Sequence, residues 1–420
     1  MNAESRHTGP LPLPAQPPLP PQPDRCIACT TCTAVCPVAA ATPAFLGPRM
    51  AGPAYERFRM TGLGEDASLH YCSNCKNCDI SCPCDVPVST FIMRARAGET
   101  ALRPPRLRDW ILAHGEVLAR WLGPIPAPFR NFGMNLSLTR ALLHGLGISR
   151  HAPLPNFAPF TFRRVFAGLR QPAGLSRTVA LFPGCYVNLY APSCGMDMVA
   201  VLNRAGYRVI VPHELICCGL PLIANGFWDD ARMNAVKNRR ILDEWARQGL
   251  PVLTGCPSCG LMVNQDYPDY FPELWPQKDS PERPRLQDAC EFLAEALRRG
   301  ELALPEGRRE AALVYHAPCH LRAQGSGLPG LELLREIPGV QVDNADAGCC
   351  GIAGSYGFKK DKYALSMHIG EPLFNAVKNH EAGVCVSECG TCRVQIRHGT
   401  GKTTLHPITV LRQFLEDPQG

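Results

Sequence analysis

The sequence predicts an α+β protein of several domains, with a helical cysteine-rich domain first and two copies of one α/β domain after it. Three observations support this prediction. The 420 residues are enough for two to three domains at about 150 residues each. Cysteines cluster twice between residues 24 and 100 at short, regular spacings. From Thr178 onwards, apolar β-type runs alternate with amphipathic helical stretches, which is typical of α/β layers with a mostly parallel sheet.

Cysteine content and the N-terminal residues narrow the class of protein. The 22 Cys are about 5% of the chain, below the roughly 8–10% typical of disulfide-stapled secreted scaffolds. Residues 1–23 contain eight prolines and no apolar signal sequence. We therefore expect a disordered, extended polyproline tail and an intracellular chain whose thiols are free or bound to metal. The sequence has no run of 18 apolar residues that would predict a membrane-spanning helix.

The middle of the chain is strongly basic. The formal net charge is +6, but residues 94–177 contain 13 Arg, no Lys and three acids, which gives +10 locally. We expect residues 101–177 to form a basic helical connecting or docking segment. Its arginines and aromatic side chains suit anionic lipid or a partner, and ordinary packing between domains explains them equally well. Nucleic acid is the least favoured interpretation, and we predict that none is bound.

Two copies of one cysteine motif, Cys-x2-Cys-x2-Cys-x3-Cys-Pro, lie between residues 24 and 100 and start at Cys26 and Cys72. Three thiolates at this spacing can wrap one cubane cluster, and the fourth normally ligates the other cluster. We predict a helical ferredoxin-like domain with two [4Fe–4S] clusters, in preference to a zinc site built from Cys-x2-Cys pairs. The predicted ligands are Cys26, Cys29, Cys32 and Cys82 for one cluster, and Cys72, Cys75, Cys78 and Cys36 for the other.

An internal repeat organises residues 178–420. Four cysteine markers of the first copy recur in the second at offsets of 134, 132, 133 and 133 residues. So constant an offset predicts two copies of one α/β domain, at 178–300 and 301–420, related by a pseudo-twofold axis. Each copy has five thiols around a Cys-Cys-Gly triplet, which favours a metal cluster over a vicinal disulfide or a zinc site with a spare thiol. The thiols are Cys185, Cys217, Cys218, Cys256 and Cys259 in the first copy, and Cys319, Cys349, Cys350, Cys389 and Cys392 in the second.

The spacing Cys-x31-Cys-Cys-Gly-x36-Cys-x2-Cys at 185–259 resembles the CCG domain in the B subunits of heterodisulfide reductases and in related iron–sulfur oxidoreductases. The resemblance extends over both copies, residues 178–415. In that reductase the five-cysteine set holds an unusual non-cubane four-iron cluster. The resemblance therefore implies two duplicated α/β CCG domains with one or two non-cubane iron–sulfur clusters, in addition to the two cubanes.

A longer resemblance, to the C subunits of anaerobic glycerol-3-phosphate dehydrogenases, covers nearly the whole chain after the proline tail. The strings that carry it include Tyr71-Cys-Ser-Asn-Cys-Lys-Asn-Cys, Cys217-Cys-Gly-Leu-Pro-Leu-Ile-Ala-Asn-Gly-Phe, His316-Ala-Pro-Cys-His and His406-Pro-Ile-Thr. It implies a non-flavin electron-transfer subunit of glycerol metabolism and anaerobic respiration. Such a subunit takes electrons from a flavoprotein dehydrogenase and hands them to menaquinone or another quinone. It is cytoplasmic, peripheral on the inner membrane surface, and can anchor the flavoprotein there.

No catalytic residue is predicted. We find no Gly-x-Gly-x-x-Gly motif after a strand, so we expect flavin, nicotinamide and substrate oxidation on another chain. Two alternatives stay open: the iron–sulfur subunit of a glycolate or lactate oxidase, and a catalytic subunit like heterodisulfide reductase. His316 and His320 flank Cys319, and we expect them to orient the site by hydrogen bonds to sulfur. Four cysteines have no predicted role and are expected to be inert: Cys84, Cys194, Cys290 and Cys385.

Overall fold

The computed structural model describes residues 23–60, 66–102, 105–275, 283–305 and 310–416. The predicted polyproline tail at 1–23 lies almost entirely outside these residues. The chain divides into two compact units, Met1–Pro105 and Arg106–Gly420. The segment predicted at 101–177 therefore falls mostly in the second unit, together with both α/β copies.

The first unit is helical in its described residues, which contain no strand. Pro37 stands at the first position of a helix, where its missing N–H is not needed. The longest helix, Val88–Leu102, buries Phe91, Ile92 and Met93. The helices are α1 (Thr31–Ala34), α2 (Pro37–Ala41), α3 (Tyr55–Met60), α4 (Asn77–Ile80) and α5 (Val88–Leu102), with 3-10 turns at Pro23–Arg25 and Ala67–Tyr71 and a π turn at Met50–Ala54.

Residues 106–176 form short helices separated by proline and glycine, such as Gly123-Pro-Ile-Pro126. Two ion pairs join them to the second α/β copy: Arg108 Nη1 lies 2.5 Å from Asp361 Oδ1, and Lys359 Nζ lies 2.8 Å from Asp109 Oδ1. The helices are α6 (Leu107–Ala113), α7 (Gly115–Trp121), α8 (Ala127–Asn135), α9 (Ser137–Gly145) and α10 (Phe162–Ala167). Within the described residues, no helix is both long enough and apolar enough to cross a bilayer.

Each α/β copy contains a four-stranded sheet in which all pairings are parallel. The strands are β1 (Arg177–Leu181), β2 (Tyr207–Ile210), β3 (Val252–Thr254), β4 (Gln287–Asp288), β5 (Ala311–Tyr315), β6 (Val340–Asn344), β7 (Val384–Val386) and β8 (Thr403–Leu405). The strand orders are β2-β1-β3-β4 and β6-β5-β7-β8, so equivalent strands take equivalent places. The registers also correspond, since Ala180 pairs with Val252 and Leu313 pairs with Val384.

Helices connect the parallel strands, as parallel pairing requires. In residues 178–416 they are α11 (Gly184–Leu189), α12 (Pro192–Arg204), α13 (Leu220–Ala224), α14 (Trp228–Arg247), α15 (Pro257–Leu261), α16 (Tyr267–Tyr270), α17 (Ala289–Arg298), α18 (Cys319–Arg322), α19 (Pro329–Arg335), α20 (Tyr363–Asn379), α21 (Gly390–Thr400) and α22 (Pro407–Leu415), with a π turn at Met262–Asp266 and a 3-10 turn at Tyr356–Phe358. Helix α22 of the second copy packs on α12 of the first, and α17 of the first copy packs on α19 of the second.

One continuous hydrophobic core joins the two copies. Leu181 in β1, Tyr315 in β5 and Leu411 in α22 all belong to it and are fully buried. Thr409 Oγ1 donates to Asp197 Oδ2 at 2.7 Å and ties α22 to α12. The predicted fold class is confirmed: a helical cysteine-rich domain is followed by two duplicated α/β domains with parallel sheets.

Candidate metal centres

The two cysteine motifs of the first unit share one backbone conformation, displaced by 46 residues. Ala28 and Thr30 have left-handed φ angles of 59° and 65°, and the equivalent Asn74 and Lys76 have 54° and 68°. Such angles cost a non-glycine residue about 1–2 kcal/mol. Strain repeated at the same two places is typical of loops that are shaped around a ligand.

The sulfur atoms of these motifs fall into two sets of four. Electrostatic interactions join Cys32 to the three other members of its set. One cavity is lined by all four members of the other set. Burial raises the pKa of Cys36 to about 11 and that of Cys78 well above its usual value. The sets are Cys26, Cys29, Cys32 and Cys82, and Cys36, Cys72, Cys75 and Cys78. This grouping is the predicted one, whereas ligation of iron stays a prediction.

Backbone amides donate to three of these sulfur atoms. The N–H groups of Ala39, Asn74 and Val86 each lie 3.4 Å from a sulfur, those of Cys36, Cys72 and Cys82 respectively. The buried Arg96 donates to the carbonyl oxygen of Cys72 at 2.8 Å and adds positive charge there. N–H···S bonds and nearby cations stabilise a negatively charged thiolate-bound cluster and set its potential.

In the second unit, the cysteine sets lie at the carboxyl ends of central parallel strands, where α/β folds usually bind ligands. Cys185 follows the end of β1 by four residues, and Cys319 follows the end of β5 by four. Cys256 and Cys389 come just after β3 and β7 and cap helices α15 and α21. The Cys-Cys-Gly triplets lie in the loops after β2 and β6. The topology therefore brings distant cysteines to one edge of each sheet.

Five thiols meet in each copy. Each thiol interacts through its side chain with the next one in a series. In the first copy this series is Cys185, Cys217, Cys218, Cys259 and Cys256. The order in the second copy is Cys319, Cys349, Cys350, Cys392 and Cys389. The Sγ atoms of Cys350 and Cys392 lie 3.2 Å apart. The structure thus assembles all ten predicted cysteines into two sets of five, and their binding of iron stays a prediction.

Glycine ends each Cys-Cys-Gly triplet because the backbone there is left-handed. The φ angles are +90° at Gly219 and +82° at Gly351. Each glycine donates its N–H to the first sulfur of its own triplet, at 3.5 Å to Cys217 and 3.3 Å to Cys349. A Cβ at Gly351 would lie 1.9 Å from the carbonyl oxygen of Ser366. The turn that presents adjacent cysteines to one centre therefore depends on glycine.

Hydrogen bonds among the crowded thiols shift their pKa values in opposite directions. Hydrogen bonding with neighbouring thiols lowers the pKa of Cys218, Cys350 and Cys389 to about 6. The pKa of Cys185 shifts in the other direction, because hydrogen bonding with Cys217 raises it well above the usual value. The thiolate is the form that binds metal. Buried, mutually contacting sulfurs of this kind fit a thiolate-bound iron–sulfur centre in each copy.

Two further charged side chains lie at these sites and were not predicted. The half-buried carboxyl of Glu116 in α7 accepts the N–H of Cys217 at 3.1 Å, and burial raises its pKa. Arg322 Nη2 donates to Cys319 Sγ at 3.5 Å. The sequence contains a signal for Arg322, because a residue three positions along a helix lies on the same face. It contains none for Glu116, which is 101 residues from Cys217.

The two predicted histidines have different surroundings. His320 Nδ1 lies 2.9 Å from Ser258 Oγ and so joins the second copy to the Cys-x2-Cys turn of the first. The ring of His316 lies within 4.8 Å of the sulfurs of Cys350 and Cys392. Their expected bonds to cluster sulfur stay predictions. The cysteines without a role are free thiols, buried at Cys194, Cys290 and Cys385 and half-buried at Cys84.

A helical eight-cysteine unit, followed by two parallel sheets with five thiols at their carboxyl ends, defines an iron–sulfur protein with ferredoxin-like and CCG domains. Comparison with family models agrees. The 4Fe-4S dicluster domain matches residues 22–86. The CCG cysteine-rich domain matches residues 179–264 and again 313–397.

Similarity to individual proteins narrows this class. The chain is 39% identical to the C subunit of anaerobic glycerol-3-phosphate dehydrogenase from Escherichia coli K12, over 90% of this chain and 95% of that one. The chain therefore belongs to the family of anaerobic glycerol-3-phosphate dehydrogenase C subunits, and the predicted resemblance is confirmed. The B subunit of fumarate reductase (CoM/CoB) from Methanothermobacter marburgensis is 30% identical over 56% of this chain and 44% of its own length. Lactate utilization protein A of an Exiguobacterium is 24% identical over 56% and 94%.

Proposed function

We propose that the chain is the iron–sulfur electron-transfer subunit of a glycerol-3-phosphate dehydrogenase. It takes electrons from a flavoprotein subunit and passes them to a membrane quinone, while attached to the cytoplasmic face of the inner membrane. The predicted thiols hold two [4Fe–4S] clusters and two non-cubane clusters. The observation that carries this proposal is the 39% identity to a C subunit of such a dehydrogenase over 90% of the chain. The sorting of the predicted thiols into separate sets supports it.

The two five-thiol sets are neighbours, which suits stepwise electron transfer. Bound iron–sulfur clusters pass single electrons over short distances. Hydrogen bonding with Cys259 lowers the pKa of Cys256, and the charge of Cys389 in the second copy acts in the opposite direction. The two thiols Cys256 and Cys389 are therefore close enough to interact. The contact between Ser258 and His320 crosses the same boundary between the copies. An electron can therefore pass between the two sets across this boundary.

Helices α8 and α9 present apolar side chains to the solvent. Phe129 and Phe132 are both 69% exposed, Leu138 is 72% exposed, and Leu142 is also exposed. We call this surface, formed by these four residues, the apolar hairpin. Exposed apolar patches on a protein surface usually mark an interaction site.

Two polar side chains of the same helices, Asn131 and Arg140, are bonded to the protein backbone. Asn131 donates to the Phe157 carbonyl at 2.8 Å and accepts the Phe157 N–H at 2.9 Å. Arg140 Nη1 donates to the Ala152 carbonyl at 2.9 Å. These bonds fix the orientation of both helices and keep the apolar hairpin facing outwards.

The occupant that we propose for the apolar hairpin is an anionic lipid surface. Residues 117–196, which include the apolar hairpin, contain eight Arg and no Asp or Glu, so this segment is positively charged. The exposed arginines of this stretch are Arg120, Arg150, Arg164 and Arg170. Apolar and aromatic side chains among cationic residues are typical of proteins that bind the membrane interface.

Reconstitution tests the electron-transfer role. The anaerobically purified chain, mixed with the flavoprotein subunits and glycerol-3-phosphate, should reduce a soluble menaquinone analogue. Cys350→Ser should abolish quinone reduction, because it removes a thiolate from the second set. Cys290→Ser is the control, since this buried thiol lies outside both sets, and it should retain activity.

Reduction of a disulfide but not of quinone would contradict the proposal and favour a heterodisulfide-type catalyst. Transfer from a lactate or glycolate flavoprotein alone would contradict the glycerol-3-phosphate assignment.

Vesicle sedimentation tests the membrane surface. The double variant Phe129→Ser/Phe132→Ser should lose most binding to anionic vesicles, because it removes two exposed aromatic side chains. Met233→Ser/Val236→Ser is the matched control, since these α14 side chains are also exposed but lie outside the apolar hairpin. Unchanged binding of the first variant, or equal binding to neutral vesicles, would show that the apolar hairpin serves another partner.

A further inference from the structure

His316 of the second copy takes the place that Phe182 takes in the first. Each follows the central strand of its sheet by one residue. The N–H of Phe182 donates to the Leu253 carbonyl at 2.8 Å, and the N–H of His316 donates to the Val386 carbonyl at 2.9 Å. The accepting residues belong to the equivalent strands β3 and β7. The two residues therefore occupy equivalent backbone positions, where the first copy has a phenyl ring and the second an imidazole.

The imidazole of His316 faces the second thiol set. One ring nitrogen and the sulfurs of Cys350 and Cys392 all lie within 4.8 Å of one another, and all three residues are buried. Among the described residues, no group hydrogen-bonds to His316 Nε2. A buried polar nitrogen without a partner costs free energy, so a partner is expected when the site is filled.

Because His316 Nε2 has no hydrogen-bond partner among the described residues, its electron pair is available to a metal. Neutral imidazole nitrogen binds iron well. In the first copy, Phe182 is 1% exposed and has no donor atom at this place.

We propose that His316 gives the second CCG centre an iron-binding nitrogen that the first centre lacks. This inference rests on the proposed function, because it requires that the CCG thiols hold iron. An added imidazole changes the ligands of the second centre without replacing a thiolate, so the midpoint potential of this centre should depend on His316. The two copies then hold centres with different ligands.

Nitrogen hyperfine spectroscopy of the anaerobically purified full chain tests the proposal. Wild-type protein, prepared with ¹⁴N- and with ¹⁵N-histidine, should show a directly bound nitrogen on one reduced CCG signal, with a splitting that changes with the isotope. His316→Phe, which copies the first site, should lose this coupling and change the midpoint potential of that signal. His368→Asn is the matched control, because this histidine of α20 is exposed and lies outside both thiol sets, and it should retain the coupling.

The outcomes separate this inference from the function on which it rests. CCG iron without a nitrogen coupling in the wild type would overturn the role of His316 and leave the electron-transfer role standing. Coupling that persists in His316→Phe would overturn it as well. Absence of iron from the CCG sets of the wild type would overturn both. The isotope comparison needs no substitution, so an absent coupling overturns the proposal even if His316→Phe fails to fold.

Discussion

The two CCG centres have the same thiols but different neighbours. Both have five sulfurs at the carboxyl ends of parallel strands and a left-handed glycine after the cysteine pair. The first set contacts the carboxyl of Glu116, whereas the second contacts the guanidinium of Arg322 and the ring of His316. Duplication thus preserved the predicted ligands while the surrounding side chains diverged.

This divergence gives the two centres different electrostatics. A cation beside a sulfur favours the reduced, more negative state of a cluster, and a carboxylate disfavours it. Hydrogen bonding with Cys349 and burial raise the pKa of Cys319. The positive charge of Arg322 acts in the opposite direction and stabilises the thiolate. We therefore expect the second centre to have the higher reduction potential.

The largest effect is expected from removing one thiolate in each centre. Cys218→Ser and Cys350→Ser should each remove one CCG signal and leave the other, because each set is complete within its own copy. About a quarter of the bound iron should be lost in each variant if four four-iron clusters are present. Iron and acid-labile sulfide assays with electron paramagnetic resonance would measure this. Loss of both signals in either variant would show that the two sets form a single centre.

Replacing the glycine of each Cys-Cys-Gly triplet with alanine tests how strongly each backbone turn depends on glycine. Gly351→Ala should destabilise the chain by about 2–5 kcal/mol, since it combines a left-handed alanine with a clash against the Ser366 carbonyl. Gly219→Ala should cost only about 1–2 kcal/mol, because its nearest neighbour is the Ala231 side chain at 3.3 Å. Denaturant unfolding would measure both.

Gly133→Ala is the control for these variants. This residue lies in α8, and a Cβ there would meet nothing within 4 Å. The change should stabilise the chain by about 0.5–1 kcal/mol. Equal costs at Gly219 and Gly351 would contradict the difference in packing behind the two triplets.

A smaller effect is expected from Arg322→Gln. Loss of the positive charge beside Cys319 should lower the midpoint potential of the second centre and leave the first unchanged. Arg335→Gln, in α19, removes an equal charge from an exposed position and is the matched control. A shift of equal size in both centres, or in the control, would mean that Arg322 acts only through net charge.

Much of this organisation was predictable from cysteine spacing. Motif spacing identified the eight thiols of the first unit, and the constant offset near 133 residues identified the duplicated copies and their parallel sheets. These features are local or periodic, so a single sequence contains them. The outward orientation of Phe129 and Phe132 was not predictable, because it depends on Asn131 binding the distant Phe157 backbone.

The differences between the two CCG centres could not be predicted from the sequence either. Glu116 reaches Cys217 only through the packing of α7, and His316 faces Cys350 and Cys392 only because the sheet edge brings them together. Comparison of the copies does show histidine opposite Phe182, but only the structure shows that its Nε2 has no partner among the described residues.

A potentiometric titration followed by electron paramagnetic resonance tests the central claim most directly. The anaerobically purified chain should show two CCG signals beside those of the cubanes, reduced at separate potentials. The signal that disappears in Cys350→Ser should be the one with the higher potential. CCG signals that are absent, that titrate together, or that have the reverse order would contradict an electron carrier with two unequal centres.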